Sequence, residues 1–181
     1  EWIKHPSREA IDDVNSLADA IVMRDNPQDP HWNETARAFL KGVLLTMMAL
    51  LPPYEIDPES GEATHCNWQL GEARKVASIG IPHPNENTDE PSIEGLLATM
   101  KALEHFDGAI SAAGHLLGQM GDRERGSVLS TLSRHTEFLE GPAISENVAE
   151  SDFNPSSIKG TPTTVYLVLP EWRMGTHSRW L

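Results

Sequence analysis

Four polar side chains in the second half of the chain recur at helical spacing and could together contact a phosphate or a carboxylate. Within the segment Gly121 to Leu139 they occupy positions i, i+4, i+7 and i+11, which lie on one face of a helix: Arg123, Ser127, Ser130 and Arg134. Arginine offers forked donors that fit such anions, and serine offers a rotatable donor. The alternative interpretation is a solvated helix face, and the spacing alone does not decide between the two.

Residue patterns for catalysis are missing. The P-loop pattern G-x-x-x-x-G-K-[ST] is absent and the dipeptide Gly-Lys does not occur, so we do not expect this chain to hold a nucleoside triphosphate. Ser127 or Ser130 with His135 lacks an identifiable acid and an oxyanion loop, which argues against a hydrolase triad. Neither H-E-x-x-H nor C-x-x-C accompanies the scattered histidines. We expect no catalytic residue, no metal site and no cofactor in this chain.

Two amphipathic helices begin the chain. Ser7 can cap the first, whose apolar residues recur at three- and four-residue spacing up to Val22. The second has Asp29 as N-cap and Pro30 at its first position. Its apolar residues follow a 3.6-residue period and predict the central packing helix: Trp32, Ala36, Phe39, Val43, Met47 and Leu51.

Shorter helical patterns follow, joined by short turns, and together they predict a compact bundle of about six to seven helices. Two of these helices are predicted over Leu70 to Ile79 and Pro142 to Ala149. Three more are predicted to begin at the N-caps Ser92, Asp107 and Asp122. In the Asp122 helix, we expect a packed face opposite the four polar residues: Val128, Leu132, His135 and Leu139. Two acidic stretches rich in helix breakers, 52–67 and 80–91, are predicted loops whose role the sequence leaves open.

The last part of the chain departs from the helical pattern. Thr163 to Leu169 is β-branched, aromatic and almost continuously apolar, and it lies between Pro162 and Pro170. This pattern predicts a strand that is buried on both faces, which needs neighbouring strands. Because no convincing second strand is found, we expect the helical bundle to be part of a larger α/β protein. Unpaired apolar strands promote association, so trimming residues 163–181 should improve solubility.

The charge balance limits the partners. There are 14 Lys and Arg against 27 Asp and Glu, a net charge of −13, which works against sequence-independent binding to nucleic acid or anionic lipid. Residues 1–100 carry a net charge of −10 and residues 101–181 only −3, so contact with a polyanion is expected in the second part. The lone Cys66 excludes an internal disulfide within these residues, and we expect neither a signal peptide nor a membrane-spanning apolar run in them.

Five segments of the chain carry a resemblance to a known family, namely Ala10 to Asp19, Asp29 to Leu40, Gly121 to Ala143, Thr163 to Pro170 and Thr176 to Leu181. In these segments the chain resembles the coupling proteins of type IV secretion and conjugation systems, the TraG/TraD class of inner-membrane DNA-transfer ATPases. The resemblance covers most of the chain and is weakest from Pro52 to Glu90.

The resemblance implies a place within a larger protein. Family members carry N-terminal transmembrane helices and a RecA-like nucleotide-binding domain that forms a hexameric ring, with an all-alpha domain inserted between its nucleotide motifs. By this resemblance, residues 1–6 are the edge of the nucleotide-binding domain, 7–160 the all-alpha domain, and 161–181 a strand and helix start of the nucleotide-binding domain. ATP and Mg would belong to the parent ATPase, and this chain by itself would be no enzyme.

The resemblance also implies a function at the cytoplasmic face of the bacterial inner membrane. The all-alpha domain is associated with recognising the transfer substrate, namely DNA, its relaxase and accessory proteins, or protein effectors, and the four polar residues are the candidate contact. Relaxosome or effector proteins fit the net charge better than single-stranded DNA, because the four residues include no aromatic platform. The alternative is a structural spacer that stabilises the hexamer. We expect the chain itself to be a monomer without membrane contact.

Overall fold

Helices account for most of the computed structural model, which describes residues 9–23, 30–51, 54–56, 63–65, 69–149, 158–160, 162–166, 168 and 170–174. The predicted mainly helical bundle is confirmed, with seven α-helices in the described residues. They are α1 (Ala10–Ile21), α2 (His31–Leu50), α3 (Leu70–Ile79), α4 (Ile93–Ala102), α5 (Ala109–Gly118), α6 (Asp122–Thr136) and α7 (Pro142–Asn147).

Helix α2 lies at the centre of the bundle, as its apolar period predicts. It packs against α1, α3, α5 and α6, and it is buried on all sides from Gly42 to Met48. Gly42 marks the closest approach, because a Cβ there would lie 2.5 Å from the Cβ of Ala113 on α5 and 2.5 Å from the Cε of Met100 on α4. Only glycine allows these three helices to pack so closely.

Helices α4 and α5 form a helical hairpin on α2. Ser92 caps α4 as predicted, with its side-chain oxygen accepting a hydrogen bond from the backbone N–H of Gly95 at 3.0 Å. The predicted cap at Asp107 is wrong. Asp107 has a positive φ of 53° within a 3₁₀ turn, and Gly108, with φ of 79°, precedes the first residue of α5.

Two pairs of short antiparallel strands lie within the acidic stretches that were predicted to be loops. Strand β1 (Tyr54–Ile56) pairs with β2 (Ala63–His65), and β3 (Ile81–Pro82) pairs with β4 (Pro91–Ser92). Each is only two or three residues long, which is too short to give an apolar alternation in the sequence. Gly80, at φ of 79°, packs against the backbone of Ser92 and so starts the second pair directly at the end of α3.

Arg74 on α3 holds the C-terminal end of α6. Its guanidinium donates to the backbone oxygen of Ser133 at 2.9 Å and to Oγ1 of Thr136 at 2.5 Å, and it also pairs with the Glu140 carboxylate. Helix α6 therefore ends at Thr136, and a 3₁₀ turn from Glu137 to Glu140 leads to α7. A cation at this end also complements the helix dipole.

The C-terminal segment contains no strand in its described residues. Residues 162–166 and 168 are neither helix nor strand, and a 3₁₀ turn follows at Glu171–Arg173. Tyr166, Val168 and Trp172 are 83%, 86% and 83% exposed. The described residues of the segment predicted to be a strand, Thr163 to Leu169, thus form no strand here, since a strand needs a partner for its backbone groups.

Several sequence predictions lie outside the described residues. They are the edge of a nucleotide-binding domain at residues 1–6, the cap at Ser7, the N-cap at Asp29, Cys66, and the helix start at Thr176 to Leu181.

Candidate interaction surface

Helix α6 carries the four candidate residues on its outer face. Gly121 is the N-cap, so Asp122 is the first helical residue and not the cap that was predicted. Asp122 and Glu124 lie in the first turn, and Arg134 lies in the last, so the charges at both ends favour the helix dipole. The sequence thus fixes a regular helix of 15 residues on which side chains keep a constant spacing.

The α6 stripe, defined as Arg123, Ser127, Ser130 and Arg134, lies opposite the packed face. The predicted packed face is confirmed, because Val128, Leu132, His135 and Leu139 are all buried. Arg123, Ser130 and Arg134 are exposed and Ser127 is half-buried. The sequence therefore separated the two faces of α6 correctly.

The two serines of the α6 stripe differ in the donors they offer. Ser127 Oγ donates to the backbone oxygen of Arg123 at 3.1 Å, and Ser127's own backbone oxygen accepts from Thr131 at 2.9 Å. The Ser127 hydroxyl hydrogen is thus used within the helix, whereas the exposed Ser130 can turn its hydroxyl outward. Of the two, Ser130 fits an anion between the arginines better.

A third arginine near the α6 stripe is engaged by carboxylates. Arg125 Nη2 lies 2.7 Å from Asp122 Oδ1, and Arg125 Nη1 lies 3.5 Å from Glu94 Oε1 on α4. These contacts tie the first turn of α6 to the start of α4. Arg125 therefore positions α6 and adds little positive charge to its outer face.

An aromatic pair lies beside the N-terminal half of α6, which the sequence did not reveal. His31 Nε2 is 3.6 Å from Glu124 Oε1, and the ring of His31 meets that of Trp32 edge to face at a centroid distance of 4.9 Å. The His31 side chain is 56% exposed. The pair is distant in sequence from Arg123, and only the packing of α2 against α6 brings it near the stripe.

His135 is a packed, hydrogen-bonded residue, as its position on the apolar side of α6 predicts. It is 2% exposed, and its Nε2 lies 3.2 Å from Oδ1 of Asn33 on α2. Ser127 and Ser130 lie on the outer face, so the structure does not bring a serine hydroxyl and this imidazole together. In the described part of the chain, no three His, Cys, Asp or Glu side chains are grouped to hold a metal ion.

The acidic stretch at 80–91 forms an exposed loop between β3 and β4. Glu86, Asp89 and Glu90 are all exposed there. The loop is ordered locally by His83, whose backbone oxygen accepts from Glu86 N at 3.3 Å and whose Nδ1 accepts from Asn85 N at 3.3 Å. These carboxylates are exposed to solvent, so the described surface offers both signs of charge.

None of the helices in the described ranges is long and apolar enough to cross a membrane.

Comparisons with known proteins place the chain among proteins of conjugation. A family model described as "Type IV secretory system Conjugative DNA transfer" matches residues 1–181. Two proteins of Escherichia coli, each named "Conjugal transfer protein TraG", are similar to it. One is 30% identical over 165 residues and the other 27% identical over 167, each match covering 87% of this chain and 23% of the relative. The chain thus spans less than a quarter of those relatives. No solved structure matches.

Proposed function

Because this chain belongs to the conjugative DNA-transfer family of type IV secretory systems, we propose that its helical bundle is the substrate-recognition domain of a coupling protein. The bundle engages the transfer DNA, its relaxase and accessory proteins, or protein effectors and delivers them to the secretion channel. The observation that supports this role is the α6 stripe, which exposes two arginines on a helix face that the core does not use.

Phosphate or carboxylate groups are the chemistry that the stripe fits. Arg123 and Arg134 are 11 residues apart, or about 16 Å along the helix, so they can contact two separate anionic groups, with Ser130 between them. The net charge of −13 repels a long polyanion. A relaxosome or effector protein that presents a few carboxylates to the stripe, and basic groups to the exposed carboxylates of the loop between β3 and β4, fits these charges better than single-stranded DNA.

Single-stranded DNA remains a defined second candidate because of the aromatic pair His31 and Trp32. A nucleic-acid site needs cationic groups and rings on which bases stack. His31, which meets Trp32 edge to face, lies against Glu124, the chain neighbour of Arg123. If two phosphates are contacted, the logarithm of the DNA association constant should fall with the logarithm of salt concentration with a slope of about −1.4.

The test compares two pairs of substitutions that change the net charge equally. Arg123→Ala with Arg134→Ala should weaken binding of the cognate relaxase or accessory protein at least tenfold. Lys75→Ala with Lys159→Ala removes two exposed cations elsewhere and should leave binding unchanged. Equal binding by both variants in a titration would exclude the stripe as the contact.

A spacer domain without substrate contact is the alternative role. Exchanging this bundle with that of a related coupling protein distinguishes the two roles. A recognition domain should transfer substrate choice in a conjugation assay, whereas a spacer should leave it unchanged.

We further propose that the rest of the protein covers the C-terminal segment and supplies the ATPase. Residues 161–181 would rejoin a nucleotide-binding domain, which would hold ATP and Mg at the cytoplasmic face of the inner membrane, while the bundle itself has no catalytic role. Exposed Tyr166, Val168 and Trp172 are the apolar surface that such a domain would bury. Trimming residues 163–181 should therefore raise the solubility of this chain without lowering its melting temperature. More aggregation after trimming would show that the segment is packed on the bundle.

A further inference from the structure

The chain leaves the α-helical path for one turn between α6 and α7. Helix α6 ends at Thr136, the four residues Glu137–Glu140 form a 3₁₀ helix, and α7 begins at Pro142. Such turns are common at helix ends, and one that lies between two helices can serve as a hinge. The local sequence gives no reason for the change, because the four residues include no glycine, proline or β-branched side chain and suit an α-helix. A contact with another part of the chain therefore holds the 3₁₀ form.

Arg74 of α3 provides this contact, because its guanidinium holds the turn at both ends. It donates to the backbone oxygen of Ser133 at 2.9 Å and to Oγ1 of Thr136 at 2.5 Å, and at the far end it pairs with the Glu140 carboxylate. In a continued α-helix the Ser133 oxygen would accept from the backbone N–H of Glu137, four residues later. Arg74 thus binds the acceptor that a continued helix would use. We call this set of contacts the Arg74 latch.

The surrounding packing is compatible with either form of the turn. In a continued α-helix, Leu139 would follow Leu132 and His135 on the packed face of α6. Leu139 is already only 4% exposed in the 3₁₀ form, so this side chain lies inside in both cases. Helix α7 opposes a change only weakly, because none of its six residues is buried. The balance between the two forms therefore depends on the Arg74 latch.

Conversion of the turn would rotate the chain that follows it. A 3₁₀ helix turns by about 120° and rises by about 2.0 Å per residue, against about 100° and 1.5 Å in an α-helix. Over the four residues of the turn, conversion to an α-helix rotates α7 by about 80° around the α6 axis and draws it in by about 2 Å. The α6 stripe keeps its place, since all four of its residues precede the turn. The segment after α7 would thus change direction relative to the stripe.

We propose that residues 137–140 are a switch between 3₁₀ and α-helical forms, that the Arg74 latch holds the 3₁₀ form, and that the switch couples the α6 stripe to the rest of the protein. The Glu140 side chain is 61% exposed and that of Arg74 only 11%, so the latch opens from the solvent side, at Glu140. Withdrawal of Glu140 weakens the hold of Arg74 on Ser133 and lets α6 extend by one turn. The coupling rests on the proposed recognition role, whereas the switch itself does not.

Nuclear magnetic resonance of this chain tests the switch with two variants and a matched control. Arg74→Met removes every donor of the latch, and Glu140→Gln removes only the charge at its exposed end. Glu137→Gln makes the same charge change in the same turn, at a residue that is not among the described partners of Arg74. In the wild type and in this control, Overhauser contacts from Hα to the amide hydrogen two residues later should mark the 3₁₀ turn.

Arg74→Met should replace these contacts with contacts between residues four apart, from Ser133 to Glu140. The residual dipolar couplings of the α7 amides should change as well, while those of α2 stay the same. Glu140→Gln should show both sets of contacts, because half of the latch remains. Since Glu140 is mostly exposed, this variant also provides the test if Arg74→Met does not fold.

Two results would overturn the switch. One is the wild-type pattern of contacts in the folded variants. The other is the loss of both patterns over residues 137–140, which would show that Arg74 only orders the end of α6 and does not choose between two helical forms.

Conjugative transfer by the full-length protein tests the coupling. Glu140→Gln should lower transfer at least tenfold and Glu137→Gln should leave it unchanged. This chain with Glu140→Gln should bind the cognate partner like the wild type, because its α6 stripe is intact. Unchanged transfer by a variant whose turn has converted would overturn the coupling. If Arg123 and Arg134 prove to have no effect on partner binding while the turn still converts, only the recognition role fails.

Discussion

Helices α2 and α6 pack against each other, yet they are buried in opposite ways. Twelve of the 20 residues of α2 are buried, against four of the 15 in α6. Four helices surround α2, whereas α6 has a packed inner face and an outer face of charged and hydroxyl groups. Substitutions on α2 should therefore change mainly the free energy of unfolding, and those on the outer face of α6 should change mainly the affinity for a partner.

The largest expected loss of stability is at the centre of α2. Phe39 is 1% exposed, so Phe39→Ala removes a whole ring from the core and should lower the free energy of unfolding by about 3–5 kcal/mol. Tyr166→Ala is the matched control, because it removes an aromatic ring that is 83% exposed. Urea unfolding followed by circular dichroism measures both. A loss at Phe39 no larger than at Tyr166 would contradict the central position of α2.

Adding a single methyl group to a glycine should have opposite effects in the two helices. Gly42→Ala forces a Cβ against Ala113 and Met100 and should cost about 1–3 kcal/mol. Gly126, on α6, has nothing within 4 Å of a built Cβ, and Gly126→Ala should stabilise the protein by about 1 kcal/mol through helix propensity. The melting temperatures of the two variants should move in opposite directions, and a shared direction would contradict the difference in packing.

The two helices also differ in how far their sequences predict their structure. On α6 the apolar and polar residues separate by period, so both faces follow from the sequence. On α2 the period predicts one stripe, but the structure also buries Leu40, Leu44, Leu45 and Met48, while Leu51 is exposed. A local period cannot tell how many neighbours a helix has, because those neighbours come from distant parts of the chain.

The candidate surface was predictable only in part for the same reason. The α6 stripe follows from spacing within one helix. The aromatic pair, the carboxylates that engage Arg125, and the contact of Asn33 with His135 all depend on packing between helices. The described residues of the predicted strand from Thr163 to Leu169 form no strand, because a strand also depends on partners beyond its own residues.

Asn33 and His135 form a buried polar contact between the two helices. Asn33→Ala removes the acceptor of the imidazole and should lower the free energy of unfolding by about 1–2 kcal/mol, since buried polar groups without a partner are costly. In a double-mutant cycle with His135→Leu, the two losses should be less than additive. Full additivity would mean that the contact does not stabilise the packing of α2 on α6.

The smallest effect on stability is expected at the α6 stripe. Arg123→Ala with Arg134→Ala should change the free energy of unfolding by no more than about 0.5 kcal/mol, because both side chains are exposed. The same variant should weaken binding of the cognate partner. Equilibrium unfolding and a binding titration on one preparation measure both effects. A large loss of stability would mean that the arginines support the bundle, so that weaker binding could follow from unfolding. Unchanged stability with weaker binding would show that the outer face of α6 contributes to recognition and not to the stability of the core around α2.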